Sequence, residues 1–210
     1  MTRPAQTLLQ MTGANTDPAP LDRAALVIID AQREYATGRL ALPRIEAALA
    51  EAGRLLELAR RRRVPVFHIV QHSPPGRGVF DETGPYVEIL PQVAPQPGEP
   101  VIRKRLPSAF AGTDLADRIR LTGRTEVILA GFMTHMCVSA TARAALDLGL
   151  RATVVAGAAA TRDLPDPLGG IIPEETVHRT ALAELADRFA VVVPDTAALA
   201  RTDTAAEATT

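Results

Sequence analysis

Glu126-Val-Ile-Leu-Ala-Gly131-Phe-Met-Thr-His-Met-Cys137-Val-Ser-Ala-Thr-Ala-Arg-Ala-Ala-Leu-Asp-Leu-Gly149 reads as a buried strand, a sharp turn and a helix. Val127 to Ala130 is a short apolar run with β-branched members, the pattern of a strand covered on both faces. Gly131 breaks the run. Thr134 suits a helix N-cap, Val138 to Leu148 carries apolar residues at helical spacing, and Gly149 is a stop just past the helix. Cys137, the only cysteine, falls in the first turn of that helix. There the backbone N–H groups lack intrahelical partners and the helix dipole is positive. Both features favour a thiolate, and the same N–H groups could hold an oxyanion. A lone cysteine after a strand serves equally as a small buried hydrophobe. Its role therefore turns on whether the chain supplies acid–base partners.

Working outward, Ala25-Leu-Val-Ile-Ile-Asp30 is a continuous apolar run ending in an acid. That is the signature of a central parallel strand with a polar residue at its carboxyl end, where open α/β sheets bind ligands. Asp30 is a candidate for chemistry, and equally a turn acid. Ile45 to Arg63 has helical spacing and ends in Arg60-Arg-Arg-Arg63, read as a solvated helix end whose cations suit the dipole. Val64 to Val70 is a second strand; His68 within it reads as a hydrogen-bonded core residue, and Gln71-His72-Ser73 stands at its carboxyl end. The Gly- and Pro-rich stretch 74–100, with Phe80 and Tyr86, reads as a lid, pocket wall or oligomer contact. Val101-Ile102 is a short strand before the cations Arg103-Lys104-Arg105, and Thr113 to Leu121 is a helix. Strands follow at Arg151 to Ala156 and Ala190 to Val193, separated by Gly157 to Asp163, the loop Asp166 to Gly170, and a helix from Pro173 at N1 to Phe189. The pattern is a single doubly wound, Rossmann-like α/β domain with a central parallel sheet flanked by helices. Residues 1–20 form an arm, 21–197 the domain and 198–210 a C-terminal tail.

The 210 residues suffice for one such domain. A net charge of -1 argues against nucleic acid or an anionic membrane as partner. No apolar run reaches membrane-helix length, and the N-terminus lacks an apolar signal segment, so a cytoplasmic protein is expected. One cysteine excludes an internal disulfide and a Cys-rich zinc site.

Asp30, the cations 103–105 and Cys137 all fall at carboxyl ends of strands, which meet along one sheet edge. A carboxylate near a thiol can act as general base, and a lysine can hold the thiolate and a developing oxyanion. Here the chain resembles the isochorismatase-like cysteine hydrolases. The resemblance rests on Leu26-Val-Ile-Ile-Asp30-Ala-Gln32, on Lys104-Arg-Leu-Pro-Ser108-Ala-Phe110 followed by Gly112-Thr-Asp-Leu115, and on Gly131-Phe-Met-Thr134-His-Met-Cys137-Val138 with Thr141 to Gly149. Three ordered motifs spanning about Leu21 to Pro194 are specific together.

The resemblance implies a triad of Asp30, Lys104 and Cys137, with Lys104 selected over its arginine neighbours by its spacing to Ser-Ala-Phe. It also implies a cis peptide at Phe132–Met133, with the N–H groups of Met133 and Cys137 forming an oxyanion hole. The implied reaction is C–N hydrolysis of a small amide or carbamoyl compound without a cofactor, by a homo-oligomer. Nicotinamidases of the family carry an Asp-x-His metal motif where this chain has Gln71-His72-Ser73, so no zinc site is expected. Substrate contacts are expected from Gln32, Tyr35, His72, Phe80, Tyr86, His135, Thr161 and Arg162. Two alternatives stand beside this reading: a vinyl-ether hydrolase in which Cys137 is a spectator, and a non-catalytic oligomeric binding protein.

Overall fold

The computed structural model describes residues 4–207, with side chains to residue 201. Residues 1–3 of the arm and 208–210 of the tail lie outside the described residues. In chain order the strands are β1 (Ala24–Ile29), β2 (Val66–Gln71), β3 (Val101–Lys104), β4 (Glu126–Phe132), β5 (Arg151–Ala160), the short hairpin β6 (Leu164–Pro165) and β7 (Ile171–Ile172), and β8 (Val191–Val193). Six of them form one parallel sheet in the order β3-β2-β1-β4-β5-β8. The chain winds from β1 outward to β3, then crosses back to lay β4 against the other side of β1. The order reverses between β1 and β4, and that is where such sheets open a ligand crevice at their carboxyl ends.

β1 is buried along its whole length, as its uninterrupted apolar run predicts. Its side chains alternate between two cores. Leu26 and Ile28 join the core under α2 (Ile45–Arg61) and α6 (Thr196–Glu207), whereas Ala25, Val27 and Ile29 join that under α3 (Leu115–Leu121), α4 (Ser139–Asp147) and α5 (Glu174–Arg188). β1 and β4 approach so closely that a Cβ on Gly131 would come 2.0 Å from the Ile29 carbonyl oxygen. Gly131 also has φ +118, so only glycine fits there.

Several expected boundaries shift. β2 begins at Val66, and β3 extends to Lys104, which makes that lysine the last strand residue. Pro173 occupies the N-cap of α5, one residue before the N1 position expected for it. The arm lies along the surface: Leu8 N donates to Asp187 Oδ1 at 2.8 Å and Ala19 N to Thr153 Oγ1 at 2.8 Å. The segment read as a tail from 198 is helical through Glu207 in α6, with Leu199 buried. Within Arg60–Arg63, Arg60 is no solvated end. It turns inward onto Glu99 with two 2.8 Å contacts.

Candidate active site

Asp30 follows β1 in a left-handed conformation (φ +50) and is fully buried. Its N–H is held by Ile69 O at 2.9 Å, and its own carbonyl accepts from Gln32 N at 2.7 Å. This tight turn fixes the carboxylate over the end of the sheet. Lys104 reaches it from β3, across the end of β2, and is also buried. The Lys104 Nζ lies 2.7 Å from Asp30 Oδ2, 2.7 Å from Gln71 Oε1 and 3.3 Å from Cys137 Sγ. An ammonium has three protons to donate, and three acceptors surround this one.

Cys137 arrives from the opposite side of the switch point. The peptide bond Phe132–Met133 is cis. It leads into a single π-helical turn, Thr134–Val138, in which Val138 N donates to Met133 O at 3.2 Å. Such turns recur at functional sites. Thr134 does not cap the helix. Met133 holds the N-cap position, and Thr134 Oγ1 instead meets His178 Nδ1 of α5 at 2.9 Å. The extra residue of the π turn displaces the hydroxyl from the cap geometry that its position in the sequence suggests.

Burial acts against the helix-dipole expectation. Burial, reinforced by the Asp30 charge, pushes the Cys137 thiol up to about 12, although Lys104 opposes the rise. Burial also raises Asp30, against the pull of Lys104 and the thiol's hydrogen bond. One buried cation cannot neutralise two buried anions, so one of the two acids keeps its proton. The resting arrangement is an Asp30–Lys104 ion pair facing a neutral thiol.

The expected substrate residues divide. Gln32 is a brace: its Nε2 donates to Gln71 O at 3.0 Å and Val87 O at 2.8 Å, and its Oε1 accepts from Gln71 N at 2.8 Å. No polar atom of its amide is left for a substrate. Tyr35 and Phe80 are buried and pack edge to face, with centroids 5.3 Å apart, and Tyr35 meets Phe132 likewise at 5.7 Å. Burial, and then the Asp30 charge, raise the Tyr35 phenol. His135 Nδ1 meets the buried Thr161 Oγ1 at 2.5 Å. Burial and then the Arg162 charge hold His135 below its usual value. Arg162 donates from Nη1 to Asp163 O, and its Nε is buried with no hydrogen-bond partner among the described residues. His72 faces another set of charges: burial and Arg103 lower it, Glu82 opposes, and Arg105 adds to the lowering. Tyr86 is partly exposed and contributes its carbonyl, which accepts from Glu34 N at 2.9 Å. With Arg33 N on Glu88 O and Leu90 N on Ala31 O, both 2.9 Å, this pins residues 86–90 of the 74–100 loop to the segment after β1.

Gln71 is the site residue that the motifs do not mark. Its signal was its register: it is the cross-strand neighbour of Lys104 at the carboxyl end of β2. Among the described residues, no group of three His, Cys, Asp or Glu side chains is placed to hold a metal ion. No helix among them is long and apolar enough to cross a membrane.

A doubly wound sheet with a carboxylate, a lysine and a cysteine at its switch point describes a class of hydrolase, and comparison with known proteins agrees. The family model for the isochorismatase domain matches residues 24–197. The chain belongs to the isochorismatase family and is a hydrolase. It is 37% identical over 183 residues to the secreted isochorismatase effector Isc1 of Verticillium dahliae, covering 87% of this chain and 94% of that one. It is 34% identical over 149 residues to the maleamate amidohydrolase of Pseudomonas putida, covering 63% and 70%. The crystal structure of an isochorismatase from Pseudomonas putida KT2440 superposes with a TM-score of 0.86 at 41% identity, covering 90% and 97%.

Proposed function

We propose that this hydrolase cleaves a C–N bond of a small amide or carbamoyl compound through a thioester on Cys137. The observation that carries the reading is Lys104 Nζ seated between Asp30 Oδ2 and Cys137 Sγ, with all three groups buried. As Cys137 Sγ attacks the carbonyl carbon, Asp30 takes the thiol proton. Lys104 then faces the carboxylic acid and the forming C–S bond, so its charge is free to oppose the oxyanion. The N–H groups of Met133 and Cys137 are the proposed oxyanion donors. Protonated Asp30 gives its proton to the leaving nitrogen as the C–N bond breaks and ammonia or an amine departs. Water attacks the thioester, Asp30 takes its proton, and that proton returns to sulfur as the C–S bond breaks.

Arg162, with an unpartnered Nε, suits a substrate carboxylate, and the relative named maleamate amidohydrolase acts on an amide by its name. Tyr35, Phe80, His135 and Thr161 form the adjoining wall. The cytoplasm suits a chain whose single thiol must stay reduced, whereas one relative is named a secreted effector. A homo-oligomer is proposed as well. Met136, one residue before the nucleophile, is exposed, as are Leu168 and Ile171 of the β6–β7 hairpin. Light scattering on the purified chain tests it: a monomer refutes it.

Ammonia release from a panel of small amides and ureido compounds, compared between wild type and C137A, tests the reaction. Release that disappears in C137A is the expected result. Equal release from both would refute the nucleophile and direct attention to vinyl ethers.

A further inference from the structure

We propose that Thr141 is a positioning residue that sets the distance between Lys104 and Cys137. The proposal builds on the reading of those two as a reacting pair. Thr141 lies one turn beyond Cys137 and is fully buried. Its hydroxyl donates to Cys137 O at 2.7 Å and accepts the N–H of Ala109 at 3.0 Å. The first bond alone is unremarkable, since a threonine in a helix often bonds back to the carbonyl four residues earlier. The second is different. It comes from a segment remote in sequence, the turn that follows Lys104 out of β3, and it lands on the oxygen that grips the nucleophile's own carbonyl.

Ala109 is itself fully buried, and both its backbone groups are spoken for by threonines. Its N–H goes to Thr141, and its carbonyl accepts from Thr113 Oγ1 at 2.6 Å. Ala109, Cys137, Val138 and Ala142 share one apolar core, so this bridge is a polar tie inside a dry region. Hydrogen bonds there are strong and directional, and an orphaned N–H is costly. The exit of β3 and the nucleophile turn are therefore locked at one separation. The 3.3 Å contact from Lys104 Nζ to Cys137 Sγ spans the gap that this lock defines.

T141V keeps the shape but removes both bonds; T141S keeps both bonds. Cys137 is the only cysteine, so its alkylation by iodoacetamide at mildly alkaline pH reads the Lys104–sulfur contact directly and needs no substrate. T141V is expected to be alkylated at least about threefold more slowly than wild type, the effect of a half-unit rise in thiol pKa. T141S is expected to stay within about twofold, although both variants lose some thermal stability. Equal or faster alkylation of T141V overturns the proposal and leaves Thr141 a packing residue. If T141V does not fold, amide exchange in wild type decides: the Ala109 N–H must be as protected as the sheet core, and fast exchange refutes the tie. Because the probe is iodoacetamide, failure of the amide-hydrolysis reading leaves this result standing, and the reverse also holds.

Discussion

Two charge clusters stand near β2 and β3, a partly buried one around Glu99 and a fully buried one around Lys104, and desolvation has opposite outcomes in them. In the first, Glu99 takes two contacts from the Arg60 guanidinium at 2.8 Å, the N–H of Gln96 at 2.8 Å and a 3.0 Å contact from the buried His68. Burial alone would raise Glu99, but these donors more than offset it and bring the carboxyl down to about 2. In the second, Asp30 and Cys137 share one lysine, and burial raises both acids. Saturating a buried carboxylate with donors makes it inert and structural. Leaving two acids to one cation keeps the second acid's proton within reach of the first. Burial therefore does not mark a site; the ratio of acids to cations does.

The comparison breaks most visibly at its shared lysine. K104M should lower turnover on a responsive amide by about 10³-fold or more, roughly 4 kcal/mol of transition-state stabilisation. It should also slow alkylation of Cys137, and steady-state kinetics and iodoacetamide trapping on the same preparation check both. In the structural cluster, E99Q should cost about 1.5 kcal/mol of stability by weakening the charge-assisted hydrogen bonds from Arg60, which keeps its 2.8 Å bond to Ala94 O. Turnover per folded molecule should be unchanged in urea-titrated samples.

The same variant sharpens the pH dependence. Glu99 binds its proton more weakly folded than unfolded, so between about 4.5 and about 2 the unfolded chain carries more protons. The stability it supplies is full above the upper value and is lost as pH falls toward the lower one. The acid limb of a stability profile should accordingly be shallower in E99Q. D30N separates reactivity from catalysis. Burial, and then the Asp30 charge, hold the thiol up, so removing that charge should speed alkylation near neutral pH by about tenfold, about 1.4 kcal/mol, while hydrolysis is lost. The smallest effect belongs to the exposed pair Arg118–Asp114 at 2.8 Å on α3, where R118A should change stability by less than about 0.5 kcal/mol.

What was legible in the sequence follows from how local each signal is. Strands β1 and β4 are written as apolar runs; Asp30 falls where the first stops, and Cys137 in the turn that follows the second. Lys104 was reached through the spacing of its motif rather than from its own surroundings. Features set by long-range register were hidden. Gln71 reaches Lys104 because β2 and β3 pair in that register, and Gln32 is consumed in bracing Gln71 and Val87. Arg60 looked like part of a solvated basic end because its partner Glu99 is 39 residues away. The helix end that favours a thiolate is visible in sequence, whereas the burial that opposes it is visible only in space.

The most direct test is to titrate the ultraviolet thiolate absorbance of Cys137 in the wild-type protein, with C137A as blank. The account predicts no thiolate at neutral pH and its appearance only toward strongly alkaline pH. A thiolate signal already present at neutral pH would contradict the neutral thiol and restore the thiolate–lysine ion pair in its place.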